Sequence, residues 1–87
     1  MAERKVTVES EVGLHARPAA TFVQTATKAP MDVTVVKMGS GGTPVNAKSI
    51  LSVLALDVRH GDTIIISAEG DGADSVLDQL AAIASAS

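Results

Sequence analysis

The chain contains no cysteine, tryptophan or tyrosine, and Phe22 is its only aromatic residue. Without cysteine it cannot form a disulfide or a thiolate metal site, which is compatible with a reducing cytoplasm. A single aromatic ring cannot supply the stacking surfaces on which proteins bind single-stranded nucleic acid. The net charge of −3 and the lack of lysine-rich runs further argue against nucleic acid as a partner.

Long hydrophobic runs are also missing, and no stretch reaches the length that a membrane span requires. The first residues, Met1–Lys5, enter a strand-like pattern directly and contain no apolar core of a signal peptide. We therefore expect a cytoplasmic protein that does not insert into a membrane.

Motifs for hydrolytic, nucleotide and metal chemistry are lacking. The sequence has no paired catalytic carboxylates, no nucleophile triad and no Walker loop. Its two histidines, His15 and His60, have no organised carboxylates beside them, so we expect neither a metal site nor a cofactor. His60 precedes a turn at Gly61 and Asp62, and we interpret it as a solvated turn residue.

What the 87 residues do contain is a regular succession of short elements. Alternating apolar residues predict strands over Arg4–Ser10, Asp32–Met38, Thr43–Ala47 and Thr63–Ala68. Helical spacing predicts helices over Ala16–Thr27, Ser49–Asp57 and Ala73–Ala84. This order predicts one α+β domain over residues 1–87, with helices covering one face of an antiparallel sheet. Pro44 cannot donate a ladder hydrogen bond, so the third strand is expected at an edge.

The segment Gly13–Ala19, with the sequence GLHARPA, places His15 and Arg17 where the first helix is predicted to begin. Unpaired N–H groups and the helix dipole favour an anion there, and Pro18 suits a first turn. A neutral imidazole is a competent nucleophile, and the Arg17 guanidinium can bind a phosphoryl group at two points. These features predict capture of a phosphoryl group on His15. The alternative is a solvated surface pair.

The predicted helix over Ser49–Asp57 has more apolar residues than one buried stripe requires. Helical spacing groups Ile50, Leu51 and Leu54 on one side and directs Val53 and Leu56 elsewhere. Surplus exposed apolar surface is typical of a protein interface, whereas a deeply buried helix would give the same pattern. Ser49 stands at the predicted N-cap, where an ordinary capping hydroxyl is expected.

Three blocks of the chain resemble the HPr family, the histidine-containing phosphocarriers of the bacterial sugar phosphotransferase system. They are GLHARPA at residues 13–19, VNAKSIL at residues 45–51, and ISAEG at residues 66–70. The resemblance implies an open-faced β-sandwich of the type βαββαβα, with a four-stranded antiparallel sheet in the order 1-4-2-3 and three helices on one face. This order also puts the strand that contains Pro44 at an edge. The hairpin over Lys37–Thr43 departs from the family in being long and glycine-rich.

The same resemblance implies a function and the residues that carry it. Enzyme I, charged from phosphoenolpyruvate, would phosphorylate His15 on Nδ1, Arg17 would stabilise the phosphate, and a IIA protein would collect it. The chain would then be a stoichiometric carrier and not an enzyme. The residues implied in partner contact are Ala16, Arg17, Ala20, Ile50, Leu51 and Leu54.

Regulation is also implied by the resemblance. Ser49 lies in a segment similar to the site that a dedicated HPr kinase/phosphorylase modifies in some members, and transcriptional regulators are further implied partners. Phosphate on Ser49 would place about two negative charges within the partner surface. We expect a monomer.

Two alternatives stay open at this point. The same carrier chemistry could serve a nitrogen-regulatory system or a dihydroxyacetone kinase, although Pro18 favours the sugar branch. A protein of another class would be a binding module that regulates through Ser49, with His15 vestigial. The presence of both His15 and Arg17 argues against this second alternative.

Overall fold

A computed structural model of the chain describes residues 2–9, 16–39 and 42–86. The strands are β1 (Ala2–Thr7), β2 (Val33–Lys37), β3 (Val45–Asn46) and β4 (Thr63–Ala68). The helices are α1 (Ala16–Thr27), α2 (Ile50–Ala55) and α3 (Ala73–Ala86). The described elements therefore follow the predicted order, and the bounds of α1 and β4 agree with the prediction residue for residue.

The strands form one antiparallel sheet in the order β1-β4-β2-β3. The central strand β4 pairs with β1 along its whole length, from Ala68 against Ala2 to Thr63 against Thr7. Its other side pairs with β2. The short strand β3 lies at the edge, which confirms the expectation drawn from Pro44.

The core lies between one face of this sheet and the helices. Alternate sheet residues are buried on the helix side, as a half-buried strand requires. The helices contribute fully buried side chains at three- and four-residue spacing, the spacing that predicted their inner faces. The largest fully buried side chains are Phe22, Ile64, Ile66, Leu77 and Leu80. Burial of each contributes about 1.5–3 kcal/mol to folding.

The predicted bounds of β1 are shifted toward the C-terminus. Alternation continues through the buried Val8, but pairing with β4 ends at Thr7. Beyond that point, the Val8 N–H donates to the Asp62 carbonyl at 2.8 Å, so Val8 bonds to a turn and no longer to a strand. At the other end, Ala2 and Glu3 join the strand because β4 extends far enough to pair with them. The predicted last residue, Ser10, lies outside the described residues.

The other elements differ from their predicted bounds by a few residues. The strand β2 is one residue shorter at each end, and β3 covers only Val45–Asn46 of the predicted Thr43–Ala47. The helix α3 continues two residues beyond the predicted end at Ala84, to Ala86. The helix α2 is shorter than Ser49–Asp57, because Ser49 is its N-cap and Leu56 its C-cap. None of these differences changes the topology.

Candidate functional site

The helix α1 begins at Ala16, so His15 directly precedes it in the sequence. His15 itself, like the side chains of Ala16 and Arg17, lies outside the described part of the chain, and the predicted roles of these groups stay predictions. Pro18 falls in the first turn, where its missing N–H would have no intrahelical partner. The first turn contains no acidic residue, so no carboxylate of the helix offsets the positive end of its dipole.

At the end of the sheet where β1 stops, three parts of the chain meet. The Gly61 N–H donates to the Val8 carbonyl at 2.8 Å, which joins the exit of β1 to the turn before β4. The Met38 N–H donates to the Thr63 carbonyl at 2.9 Å, which adds the exit of β2. In this turn His60 is exposed, as predicted.

The short helix α2 exposes part of its apolar surface. Val53 is fully buried, whereas Ile50 and Leu54 are each 37% exposed and Leu51 is 77% exposed. Leu56, which follows the helix, packs partly buried against the core. The predicted grouping is confirmed, and the alternative of a deeply buried helix is wrong. Ile50, Leu51 and Leu54 are called the docking patch below. On α1, Ala20 is half-buried.

Ser49 caps the N-terminus of α2. Its backbone is extended, with φ −108° and ψ 114°, and its hydroxyl oxygen accepts the Ser52 N–H at 3.3 Å. Its carbonyl accepts the Val53 N–H at 3.0 Å. The expected capping role of the hydroxyl is confirmed, while its regulatory role stays a prediction.

Two lysines that sequence reasoning left unassigned hold the ends of α2. The Lys48 ammonium donates to the Ala29 carbonyl at 2.9 Å, near the end of α1. The Lys37 ammonium, at the end of β2, donates to the Asp57 carbonyl at 3.2 Å. Periodicity could not identify these contacts, because each acceptor is a backbone carbonyl 19 or 20 residues away. Asp57 has φ 52°, a left-handed conformation that aspartate tolerates better than most residues.

The model of the family described as the PTS HPr component phosphorylation site matches residues 2–86. The chain belongs to the HPr family. It is 46% identical over 81 residues to the phosphocarrier protein HPr of Streptomyces coelicolor, covering 93% of this chain and 85% of that protein. It is 42% identical over 82 residues to the HPr-like protein Crh of Bacillus subtilis, covering 94% and 93% of the two chains.

The fold agrees with that of HPr proteins as well. The crystal structure of HPr from Bacillus anthracis superposes with a TM-score of 0.86 at 40% identity, covering 95% of each chain. The predicted fold class is thus confirmed, with the open-faced sheet in the order implied by the HPr resemblance. Membership of the family identifies the chain as a phosphocarrier of the phosphotransferase system. Among the described residues, no helix has the length and apolarity to cross a bilayer.

Proposed function

We propose that the chain accepts a phosphoryl group from phospho-enzyme I on His15 and passes it to a IIA protein. It would act in the cytoplasm as a single-domain monomer and as a stoichiometric carrier rather than a catalyst. The observation that carries the proposal is the start of α1 at Ala16, directly after the histidine of the family motif. Because no carboxylate in the first turn offsets its dipole, the helix terminus next to His15 in the sequence favours a group that arrives with negative charge.

The transfer is an in-line exchange between two histidines. As the Nδ1 lone pair of His15 bonds to phosphorus, the phosphorus–nitrogen bond to the enzyme I histidine breaks and its electron pair returns to that ring. The second transfer repeats this exchange toward the IIA protein. Arg17 and the N–H groups of Ala16 and Arg17 are the proposed phosphate contacts. Because the carrier must release the group, these contacts have to stabilise it without trapping it.

The proposed partner surface combines the docking patch with Ala16, Arg17 and Ala20 of α1. Support comes from the exposure of Ile50, Leu51 and Leu54, since a short helix ordinarily buries such side chains. An apolar centre provides burial, and a charged rim provides orientation. A carrier needs transient contacts, and one small surface can serve enzyme I and IIA proteins in turn.

Regulation at Ser49 is part of the proposal. Phosphorylation there by an HPr kinase/phosphorylase would place about two negative charges one residue before the docking patch. We expect enzyme I to dock more weakly on the modified carrier. Transcriptional regulators are the further proposed partners of this form.

A second candidate function is a regulatory binding module that acts through Ser49 and carries no phosphoryl group on His15. The 42% identity to an HPr-like protein, Crh, favours it. The presence of His15 and Arg17 together in the family motif favours the carrier.

One labelling experiment separates the two functions. The chain is incubated with phosphoenolpyruvate and enzyme I, and the product is tested for phosphate that acid removes and base does not, as expected for phosphohistidine. The carrier function requires this label on the wild-type chain and its loss from His15→Ala. An unlabelled wild-type chain, or an undiminished label on His15→Ala, would exclude it. Acid-stable phosphate on Ser49 after incubation with an HPr kinase and ATP would then support the regulatory module.

A further inference from the structure

The side chain of Lys48 ties the entry of α2 to the end of α1. Its ammonium donates to the Ala29 carbonyl at 2.9 Å in a partly buried position. Ala29 is itself buried, and its N–H donates to the Ala26 carbonyl in the last turn of α1 at 3.0 Å. Lys48 directly precedes the N-cap Ser49. The contact therefore joins the segment just after α1 to the residue before the N-cap of α2.

Apart from Lys48, the helix α2 is held by one buried side chain, by the Lys37 contact at its other end and by the partly covered Ile50 and Leu54. It is 6 residues long, and Val53 is its only buried side chain. A helix this short does not form alone in water, so its position depends on tertiary contacts. Leu51, at 77% exposure, contributes little to holding the helix, whereas Ile50 and Leu54, each 37% exposed, keep the larger part of their surface covered. At the entry, the buried Ala47 is fixed by its N–H, which donates to the Val33 carbonyl at 2.9 Å.

We infer that Lys48 is a positioning residue for the partner surface, which fixes the orientation of the docking patch relative to α1. This inference rests on the proposed function, because it assigns Lys48 a role in presenting that surface. A hydrogen bond from an ammonium is stronger than one between neutral groups, and partial burial limits competition from water. Lys48 acts through α2 and needs no contact with the phosphoryl group.

The variant that tests the inference is Lys48→Met, which keeps the apolar stem and removes the donor. Lys28→Met is the control for charge, since Lys28 is exposed near the same end of α1 and both variants lose one positive charge. Ile66→Val is the control for stability, because it trims a fully buried side chain of the central strand β4. Lys48→Arg keeps a charged donor and is the conservative variant.

The first measurement is hydrogen exchange at the Val53 amide, which donates to the Ser49 carbonyl in the first turn of α2. Lys48→Met should speed this exchange about tenfold, the factor expected for loss of one charge-assisted hydrogen bond. Lys28→Met should leave the rate unchanged, and Lys48→Arg should restore most of it. An unchanged rate in Lys48→Met would overturn the inference.

The second measurement is the kinetics of phosphoryl acceptance from phospho-enzyme I. Lys48→Met should raise the KM for the carrier severalfold and leave kcat unchanged, because docking weakens while the chemistry at His15 is intact. Ile66→Val should leave both constants unchanged, although it destabilises the fold. A Lys48→Met effect on kcat alone, or an equal rise of KM in Ile66→Val, would overturn the inference. An unlabelled wild-type chain would refute the carrier function instead, and the exchange comparison would still decide whether Lys48 positions α2.

Discussion

The Ser52 N–H donates to the Ser49 hydroxyl oxygen at 3.3 Å, so the side chain proposed to receive a regulatory phosphate is also the N-cap of α2. Substitutions at this position therefore change two properties, the cap and the charge. Asparagine and aspartate are both good N-caps and differ mainly in charge. Comparing Ser49→Asn with Ser49→Asp therefore isolates the effect of charge, because both substitutions keep the N-cap, which alanine would remove.

For this pair, we expect Ser49→Asp to raise the KM for the carrier in transfer from phospho-enzyme I roughly tenfold, because a charge beside a partner surface opposes docking. Ser49→Asn should accept phosphoryl groups at the wild-type rate. Both variants should unfold at nearly the wild-type urea concentration. The chain has no tryptophan or tyrosine, so unfolding is followed by far-ultraviolet circular dichroism. Equal KM values for the two variants would contradict regulation by charge at Ser49.

A second prediction concerns Leu51, the most exposed residue of the docking patch at 77%. Leu51→Glu should weaken binding to enzyme I by about 1–2 kcal/mol, the usual cost of losing an apolar anchor. Stability should change by less than about 0.5 kcal/mol, as for other surface substitutions. Titration calorimetry and urea unfolding measure the two quantities.

Met38→Glu is the matched control for Leu51→Glu. It adds the same charge at another exposed apolar side chain, 45% exposed and outside α2. Binding of enzyme I should be much less affected by this variant. If both substitutions weakened binding equally, the effect would come from net charge and the docking patch would lose its assignment.

A third prediction tests the geometry of the Arg17 guanidinium. Arg17→Lys keeps the positive charge but loses the planar fork, and Arg17→Gln loses both. If two-point binding matters, phosphoryl transfer through His15 should slow about tenfold in Arg17→Lys and further in Arg17→Gln, because a charge-assisted bond contributes ~1.5–3 kcal/mol. Single-turnover transfer to a IIA protein measures the rates. Equal wild-type rates in both variants would remove Arg17 from the site.

A fourth prediction concerns Arg4, which joins β1 to α3. Its guanidinium donates from Nε to Asp78 at 2.9 Å and from Nη2 to Asp74 at 3.1 Å. Hydrogen bonds to Asp78 and then Asp74 raise the pKa of Arg4 above its ordinary value. Arg4→Met should lower the Tm at low ionic strength, and the difference should shrink in ~1 M salt, where the Debye length is about 3 Å.

The pH dependence of the contacts that Arg4 makes with Asp74 and Asp78 follows from the raised pKa of Arg4. The contribution of Arg4 to stability is fully present below the pKa that Arg4 has in the unfolded chain. It is lost only as the pH rises through the pKa of Arg4 in the folded chain. The Tm difference between wild type and Arg4→Met should therefore stay constant from about pH 6 to pH 9. Lys5→Met removes the same charge from the neighbouring exposed position and serves as the control. A salt-insensitive difference would show that the Arg4 stem acts through packing.

Local patterns predicted the elements well where one rule applied. The predicted bounds of α1 and β4 were correct because each sequence pattern fits one type of element. The spacing of Ala19, Phe22 and Ala26 fits a helix, and the run of three isoleucines fits a strand. The bounds of β1 were shifted because alternation does not encode where the partner strand ends. The strand order came from the resemblance to the HPr family and not from periodicity.

The site was predictable only in part. Spacing correctly separated the exposed Ile50, Leu51 and Leu54 from the buried Val53. The contacts of Lys48 and Lys37 with backbone carbonyls could not be predicted, because any residue type supplies the same acceptor and only the tertiary fold brings it near. The role of Ser49 as an N-cap needed no tertiary information, since an N-cap bonds within one turn.

The outward orientation of α2 has an evolutionary consequence. Because Leu51 is 77% exposed, substitutions there are nearly free of the selection that preserves folding, and Ile50 and Leu54, each 37% exposed, are less constrained than the fully buried Val53. On the proposed partner surface, the choice of partner can therefore diverge by ordinary surface substitutions, while Val53 and the sheet keep the fold unchanged. A lineage could adapt the carrier to a new acceptor one side chain at a time, without compensating mutations elsewhere.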